Sequence, residues 1–579
     1  MNTSTALVKD GPLEHENVLE ELTASRDDWA RTSVSERIQI LAEIKDRLID
    51  VAEDWALTAA RYKQIPDGSP LVGEEWISGP YTLMAACNGY IETLSRLEQK
   101  SFVDELPVRF VSDEQIAVRV LPHSVWDHLL LSGIKAEIWM ERGINQDSLK
   151  ANVASSYDIA PEDRTGSVSL VLGAGNIAAI APLDCLHKLF VEHSTVVLKL
   201  NPVNDYLKAF LDRAFVPLIQ RGALRIVKGD ADVGAWLCQH PAVDSIHITG
   251  AGASHDAIVW GVGEEGRKNK AAGTPRNSKR ITSELGAVCP TIVVPGAWTK
   301  ADIRFQAEHI ATQKLHNSGF NCVACQMLII PEDWELRDEF VDAVNKAMAE
   351  APSRGLYYPG AAERVSDFRQ QYPDHEVISV AGNPAGRTVV PFSRPNENDY
   401  AEEVEVFAPL LTYTTIGGAD SRSYLQNAID YCNDSLHGTL GANIIIDPKT
   451  RVAVGGDWDD IISKLRYGCI AVNAWTGLGF LSAQTPWGAF PGHTLDDVQS
   501  GIGFVHNTYL FDKPERCVIE APFRPFPRNL LHGSFTLLPK PPWFVTNRKA
   551  DKLGQLLTKF QHKPGFLKIP RIFLNALLG

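Results

Sequence analysis

Several features that would narrow the function are missing from this chain of 579 residues. It has no run of eighteen apolar residues, so the sequence predicts no membrane-spanning helix. Its nine cysteines show neither the paired CxxC spacing of zinc sites nor a dense disulfide pattern. It also has no internal repeat and no low-complexity tract. These absences argue against a membrane-spanning helix and against a cysteine framework of zinc sites or disulfides.

The chain has fewer basic than acidic residues. Lys and Arg number 56 against 71 Asp and Glu, which gives a formal net charge of -15. Such a surface repels nucleic acid, so we expect no nucleic-acid partner. The polar, acidic start MNTSTALVKDGPLEHENVLEEL is unlike a signal or transit peptide. We therefore expect a cytoplasmic protein.

The chain is long enough for two or three domains, and its pattern changes near residue 100. Residues 14–99 read as helices, among them 35–51 with one apolar face and a capping box formed by Ser33 and Glu36. Short apolar strands then alternate with helical runs. The predicted strands cover residues 167–172, 195–200, 223–227, 245–248, 291–294, 327–330, 410–414, 441–446 and 469–472. The pattern predicts an α/β fold with two doubly wound domains and a ligand site between them.

A glycine turn and a cysteine loop are the first candidates for chemistry. Gly173-Ala174-Gly175-Asn176-Ile177-Ala178 follows a predicted strand and fits the G-x-G-x-x-A dinucleotide fingerprint, although the confirming acid is missing. A plain tight turn is the alternative. Cys322 lies beside Gly319 between a helical run and a strand, where a thiol can face substrate. The alternative is that Cys322 and Cys325 are small buried core residues.

Two glutamates are the remaining candidates for chemistry. Glu284 precedes Leu285-Gly286 in a predicted turn before an apolar strand, where a desolvated carboxylate with a raised pKa would suit base catalysis. Most such glutamates are solvated loop charges. Glu405 lies just before another strand, and the segment 403–409 also fits an edge strand with charges on its wet face.

Taken together and in order, these clusters resemble the aldehyde dehydrogenase superfamily over about residues 20–510. The Glu-Leu-Gly-Gly motif of that family looks like Glu284-Leu285-Gly286-Ala287, and its nucleophile motif looks like Gly319-Phe320-Asn321-Cys322-Val323-Ala324. Its Glu-x-Phe-Gly-Pro motif is similar to Glu405-Val406-Phe407-Ala408-Pro409. Further echoes are Asn176 followed by Val196-Val197-Leu198-Lys199, Ile248-Thr249-Gly250-Ala251, and Pro486-Trp487-Gly488-Ala489-Phe490.

The resemblance implies a role for each matching residue. It makes Cys322 the nucleophile, Glu284 the general base and Asn176 an oxyanion-hole donor, so the glycine fingerprint no longer binds a pyrophosphate. It assigns cofactor contacts to Lys199, Thr249, Gly250, Glu405 and Phe407. Pro202 replaces the glutamate that NAD-preferring members carry, so the cofactor is predicted only as NAD or NADP.

The predicted reaction is oxidation of an aldehyde to a carboxylic acid through a cysteine thiohemiacetal and a thioester. One alternative is a relative that passes the acyl group to coenzyme A, although retention of Glu284 and Glu405 favours water. Another is a catalytically inactive binding protein with the family fold. The resemblance also implies a homodimer or homotetramer.

The domain limits follow from the same resemblance. A discontinuous cofactor-binding domain covers residues 1–138 and 165–283, and a catalytic domain covers 284–478. A β oligomerisation arm covers 139–164 and 479–515, and a C-terminal extension covers 516–579. Within the extension, residues 541–579 hold seven basic residues against Asp551 alone, interleaved with apolar side chains. Such a tail suits peripheral contact with an anionic membrane, or else packing on the protein itself.

Overall fold

The computed structural model describes residues 12–381, 383–392 and 399–579. The polar segment 1–11 considered above lies outside the described residues. The strands are β1 (Val108–Ser112), β2 (Gln115–Leu121), β3 (Lys135–Met140), β4 (Val168–Leu172), β5 (Thr195–Lys199), β6 (Leu224–Val227), β7 (Ser245–Gly250), β8 (Arg280–Leu285), β9 (Cys289–Val293), β10 (Cys325–Pro331), β11 (Glu376–Val380), β12 (Asn383–Pro391), β13 (Leu410–Ile416), β14 (Gly441–Ile445), β15 (Cys469–Val472), β16 (Pro486–Gly488), β17 (Gly501–Ile502), β18 (Phe504–His506) and β19 (Pro514–Glu520).

The α-helices pack on the faces and ends of these strands. They are α1 (Pro12–Ala30), α2 (Val34–Tyr62), α3 (Val72–Trp76), α4 (Thr82–Ser95), α5 (Ser101–Asp104), α6 (Val125–Leu130), α7 (Ile180–Phe190), α8 (Lys208–Ala214), α9 (Val216–Gln220), α10 (Ala231–Gln239), α11 (Gly252–Val259), α12 (Gly263–Ala272), α13 (Lys300–Leu315), α14 (Arg337–Glu350), α15 (Ala361–Gln371), α16 (Tyr400–Glu403), α17 (Ser421–Ser435), α18 (Pro448–Val454), α19 (Trp458–Ser463), α20 (Gly477–Leu481), α21 (Ala550–His562) and α22 (Ile569–Leu577).

A six-stranded sheet forms the first α/β unit. Its strand order is β17-β8-β7-β4-β5-β6, with β8 to β6 parallel and β17 antiparallel to β8. The first four predicted strands correspond to β4, β5, β6 and β7 and are confirmed. Because all five parallel strands end at one edge, that edge is where a ligand site is expected.

An eleven-stranded sheet forms the second unit. Its order is β1-β2-β3-β19-β15-β14-β9-β10-β13-β12-β11, and the run from β19 to β12 is parallel. The other five predicted strands are confirmed as β9, β10, β13, β14 and β15. The two sheets with their helices confirm the predicted α/β class.

The sheet pairing differs from the predicted domain limits. Strands β1, β2 and β3 lie before the six-stranded unit in sequence, yet they add to the eleven-stranded sheet, where β3 pairs antiparallel with β19. The predicted limit at 138/139 therefore falls inside β3, and residues 108–138 pair outside the unit assigned to them. The predicted start of the C-terminal extension at residue 516 likewise falls inside β19, the strand with which β3 pairs.

The helical amino-terminal region matches its prediction closely. Helix α2 begins after Ser33, whose hydroxyl accepts the backbone N–H of Glu36, and the Glu36 carboxylate accepts the Ser33 N–H in return. One face of α2 is buried, including Ile40, Leu41 and Ile44. At the other end of the chain, α21 packs on α2, α3 and α4. Among the described helices, none combines the length and hydropathy needed to cross a bilayer.

Candidate active site

The loop that carries Cys322 lies between α13 and β10, as predicted. All nine cysteines fall within the described residues; eight are buried, and Cys322 is partly exposed. Cys325 begins β10 and is fully buried, so the core interpretation fits Cys325 but not Cys322. The Cys322 carbonyl accepts a hydrogen bond from the thiol of Cys289 at 3.2 Å. The loop therefore presents one thiol to a cavity while its neighbours pack.

Asn176 joins the glycine turn to this loop. Its side-chain amide donates to the carbonyl of Phe320 at 3.0 Å, and its own carbonyl accepts from the amide of Asn317 at 3.1 Å. Helix α7 begins only at Ile180, several residues after the glycines. Asn176 is thereby held against the nucleophile loop, although the two segments are far apart in sequence.

Glu284 lies near the carboxyl end of β8, within a strand and not in the predicted turn. The strand pairs with β7, and Glu284 is the register partner of Thr249. Burial raises the pKa of Glu284 to about 7, and the adjacent side chains of Cys322 and Trp487 offset part of that rise. In turn, burial and the negative charge of Glu284 raise the pKa of the Cys322 thiol. The pair is thus a neutral thiol beside a carboxyl that titrates near neutrality.

Glu405 lies in an irregular segment between α16 and β13, not on an edge strand. Burial raises its pKa to about 8, against the positive charges of Lys314 and Arg364. A Cβ atom on Gly286 would lie 1.8 Å from the Glu405 Oε2 atom. Glycine at this position of the Glu284 motif is therefore what lets the second carboxylate approach.

One cavity of about 800 Å³ collects these groups at the ends of β4, β5, β7 and β8. It is lined by all eight residues predicted for catalysis or cofactor binding, namely Asn176, Lys199, Thr249, Gly250, Glu284, Cys322, Glu405 and Phe407. The chain passes from β8 of one sheet to β9 of the other within a few residues, which places the cavity between the two units. The structure therefore brings every predicted site residue to one place.

A second, small cavity of about 30 Å³ also reaches Cys322. Its lining is mainly apolar and aromatic, with Ile177, Ile180, Val323, Trp475, Phe480, Leu481 and Trp487 among its members. Cys322 and Ile180 line both cavities. The thiol is thus exposed to a large cavity of mixed polar and apolar lining and to a narrow apolar one.

A family comparison identifies the chain. A model of the aldehyde dehydrogenase family matches residues 190–488, which is more than half of its length. The chain belongs to the aldehyde dehydrogenase family.

Curated relatives of this aldehyde dehydrogenase are distant. A putative aldehyde dehydrogenase of Staphylococcus saprophyticus is 26% identical over 390 residues, covering 62% of this chain and 76% of the relative. An NADP-dependent D-glyceraldehyde dehydrogenase of Picrophilus torridus is 24% identical over 311 residues, covering 52% of this chain and 58% of the relative. The matches thus span between about half and three quarters of the relatives.

Solved structures agree on the fold over nearly the whole chain. The gamma-glutamyl-gamma-aminobutyraldehyde dehydrogenase of Burkholderia cenocepacia has a TM-score of 0.59 at 17% identity and covers 88% of this chain and 89% of its own. Aldehyde dehydrogenase C of Pseudomonas syringae, solved with NAD+ and octanal, has a TM-score of 0.58 at 16% identity and covers 89% and 90%. At these identities the likeness shows the fold.

Sequence reasoning missed several polar residues in this aldehyde dehydrogenase site. Tyr358, Arg276 and Arg364 also line the large cavity. Arg364 donates to the carbonyls of Val406 and Phe407 and so supports the segment that bears Glu405. These residues belong to no local motif, and only tertiary packing places them beside the predicted ones.

Proposed function

We propose that this protein oxidises an aldehyde to a carboxylic acid with NAD or NADP, using Cys322 as nucleophile and Glu284 as general base. The observation that carries the proposal is the single cavity in which a partly exposed thiol lies beside a carboxyl whose pKa is raised to about 7. A group with that pKa changes protonation readily near neutral pH, as a general base must.

The cavity suits a dinucleotide. Its volume is within the range of about 300–1,000 Å³ usual for ligand pockets. The start of α11 and the backbone at Gly250 offer the N–H groups that favour a phosphate, while Lys199 adds a positive charge and Glu405 a carboxylate for hydroxyl groups. When bound, the nicotinamide would supply the hydride acceptor. Lys199, Thr249, Gly250, Glu405 and Phe407 would hold the cofactor.

The protein's own groups supply the remaining chemistry. The Cys322 sulfur bonds to the aldehyde carbon while its proton passes to Glu284, and negative charge develops on the former carbonyl oxygen. The side-chain amide of Asn176 has two N–H groups, of which one is used by the Phe320 carbonyl. The other, together with the Cys322 backbone N–H, stabilises the oxyanion.

Hydrolysis of the thioester needs the base again. Glu284, once deprotonated, accepts a proton from water as the water oxygen bonds to the acyl carbon, and the bond from carbon to the Cys322 sulfur breaks. This step favours water over coenzyme A as acyl acceptor, because a buried base beside the thioester promotes hydrolysis.

An apolar aldehyde fits the second cavity best. The aromatic and aliphatic lining next to Cys322 offers few polar partners, and a volume of about 30 Å³ requires side chains to move for a longer chain. We therefore propose aliphatic or aromatic aldehydes over charged ones.

A panel of aldehydes tests this function, with NAD(P)H formation followed by absorbance. We expect activity without coenzyme A, and a loss of at least about 10⁴-fold in kcat for Cys322→Ala. A matched control is Cys325→Ala, which removes a neighbouring buried thiol and should keep the activity of any folded protein. Full activity of Cys322→Ala would refute the nucleophile, and a strict requirement for coenzyme A would refute hydrolysis.

We also propose that the C-terminal extension contacts an anionic membrane. Residues 530–578 contain nine of the eighteen large apolar side chains that are exposed in the described part of the chain. Among the most exposed are Leu531, Phe535, Leu567 and Leu574. The basic residues of 541–579 lie in the same extension, which supports attraction to acidic lipids despite the negative total charge.

Co-sedimentation of the full chain with phosphatidylserine vesicles tests membrane contact. We expect pelleting that weakens in a Leu567→Asp, Leu574→Asp double variant, while Val452→Asp, which alters an exposed apolar residue elsewhere, pellets as the unchanged protein does. Equal pelleting of the unchanged protein and both variants would contradict the proposal.

A homodimer or homotetramer is proposed from the family resemblance, with residues near 140–165 and 485–515 at the interface. Light scattering should give two or four times the chain mass of 63.7 kDa. A monomeric mass would contradict it.

A further inference from the structure

The turn that precedes the nucleophile has an unusual backbone. Three consecutive residues lie in the left-handed region, with φ values of 53° at Asn317, 54° at Ser318 and 78° at Gly319. This conformation is unfavourable for residues with a side chain, so surrounding contacts must hold it. What holds the turn also sets the direction in which the chain reaches Cys322.

Glu74 on α3 contacts this turn directly. Its Oε2 atom accepts the backbone N–H of Asn317 at 3.0 Å and forms an ion pair with Arg354. The Glu74 and Arg354 side chains are only 4% and 1% exposed, so solvent does little to weaken either contact. Burial would raise the pKa of Glu74, but the charge of Arg354, together with His316 and the backbone N–H of Asn317, holds it below its ordinary value. Glu74 is therefore a fixed, ionised acceptor.

Asn317 in turn contacts the two segments that carry Asn176 and Cys322. Its side-chain amide donates to the carbonyls of Asn176 at 3.1 Å and Phe320 at 3.0 Å, while the hydroxyl of Tyr357 donates to its Oδ1 atom at 2.8 Å. Asn317 thus joins the segment of the oxyanion donor to the loop of the nucleophile. A shift of Asn317 would change the distance between them.

Helix α3 is itself fixed by the C-terminal extension. A Cβ atom on Gly73 would lie 2.3 Å from the carbonyl carbon of Ala550, and one on Gly554 would lie 2.6 Å from the Cβ atom of Trp76. The two backbones approach so closely that α21 leaves α3 no freedom to slide. On the other side, Glu75 forms an ion pair with Lys63 at 2.8 Å.

We propose that Glu74 is a positioning residue for the reaction: fixed by Arg354 and by the packing of α21 on α3, it holds the 317–319 turn so that Asn176 and Cys322 keep their relative placement. The proposal deepens the proposed function and rests on it. It also gives the C-terminal extension a part in shaping the active site.

The test compares Glu74→Gln with Glu75→Gln. Both remove one buried charge from the same ion cluster, but only Glu74 contacts Asn317. We measure kcat, the KM for cofactor, and the rate at which iodoacetamide alkylates Cys322, followed by peptide mass spectrometry. For Glu74→Gln we expect kcat to fall about 10- to 100-fold, because small misplacements in active sites cost rates of that order.

Supporting readouts separate positioning from general stability. We expect the alkylation rate of Cys322 to change in Glu74→Gln, its cofactor KM to stay within about twofold, and Glu75→Gln to keep both kcat and alkylation rate. Equal losses in the two variants, or an unchanged alkylation rate in Glu74→Gln, would overturn the proposal. If the unmodified protein oxidises no aldehyde, the proposed function fails, and alkylation still decides the role of Glu74.

A second variant covers misfolding. If Glu74→Gln does not fold, Tyr357→Phe removes the hydroxyl that contacts Asn317 at 2.8 Å and the Asn176 carbonyl at 3.4 Å, and it leaves the ion pair between Glu74 and Arg354 intact. A changed alkylation rate with native thermal stability supports the turn as the element that is positioned. An unchanged rate contradicts it.

Discussion

Two groups of carboxyls lie near the loop of Cys322, and the fold treats them in opposite ways. Burial raises the pKa of Glu284 to about 7 against the contacts of Cys322 and Trp487, and raises that of Glu405 to about 8 against the charges of Lys314 and Arg364. At Glu74 the ion pair with Arg354, the nearby His316 and the backbone N–H of Asn317 together outweigh burial and lower the pKa. A compensated carboxylate is a fixed structural acceptor, whereas an uncompensated one can exchange a proton at neutral pH. The comparison separates carboxyls that titrate near neutral pH from one that stays ionised.

The largest effect expected on this comparison is catalytic. Glu284→Gln should lower the steady-state rate about 10³-fold, because a general base contributes factors of that order. Thioester formation should slow as well, because Glu284 also accepts the Cys322 proton, and the acyl group that does form should remain on Cys322, visible as a mass increase of the intact protein. Glu75→Gln, which removes a buried carboxylate paired with Lys63 and Arg354, serves as the control and should turn over normally. A rapid steady state in Glu284→Gln would mean that another group activates water.

Replacing Glu74 and replacing Glu284 by Gln should also change the free energy of unfolding in opposite directions. Removing the charge of Glu74 leaves the buried Arg354 with Glu75 alone, which Lys63 also pairs with, so the free energy of unfolding should fall by up to about 3 kcal/mol. Glu284 has a folded-state pKa of about 7 against an ordinary value of 4.5, so folding favours its neutral form, and the protein loses stability as pH rises from 4.5 through 7. Glu284→Gln should therefore gain up to about 3 kcal/mol at pH 8 and little at pH 4.5.

Denaturant unfolding at both pH values measures these changes. If Glu284→Gln is less stable than the unchanged protein at pH 8, the ionised Glu284 carboxylate makes contacts that offset its burial. Its ionisation would then not lower the free energy of unfolding. Equal signs for the two variants would remove the distinction between the groups.

Local patterns were enough for part of the fold. The nine predicted strands are rich in apolar residues, and all belong to the parallel parts of the two sheets. Strand β8 was not predicted, because Thr282, Ser283 and Glu284 interrupt its apolar pattern, although all three are buried. Strands β1 to β3 depend on pairing with β19, nearly four hundred residues later, which no local signal indicates.

The site likewise contains some residues that local sequence predicts and some that it does not. Cys322, Glu284 and Glu405 lie in short motifs and could be found from sequence, whereas Arg364 and Glu74 could not. Both act through a contact with a distant segment, Arg364 with the carbonyls at 406 and 407 and Glu74 with Asn317. The burial of all three carboxyls and the buried partners of Glu74, which together give the opposite pKa directions, are likewise properties of the whole fold.

The smallest predicted effect is the pH dependence of turnover, and it links rate to stability. Because Glu284 must be ionised to accept a proton from water, the hydrolytic rate should rise with pH and level off above about 7, falling about tenfold per pH unit below that point. Glu75→Gln should keep this midpoint, since Glu75 is not the base. The stability difference between the unchanged protein and Glu284→Gln should bend at the same pH, because one ionisation governs both. A rate that levels off near pH 4.5 would show that Glu284 titrates as an ordinary solvated carboxylate, and the contrast with Glu74 would then lose its chemical meaning.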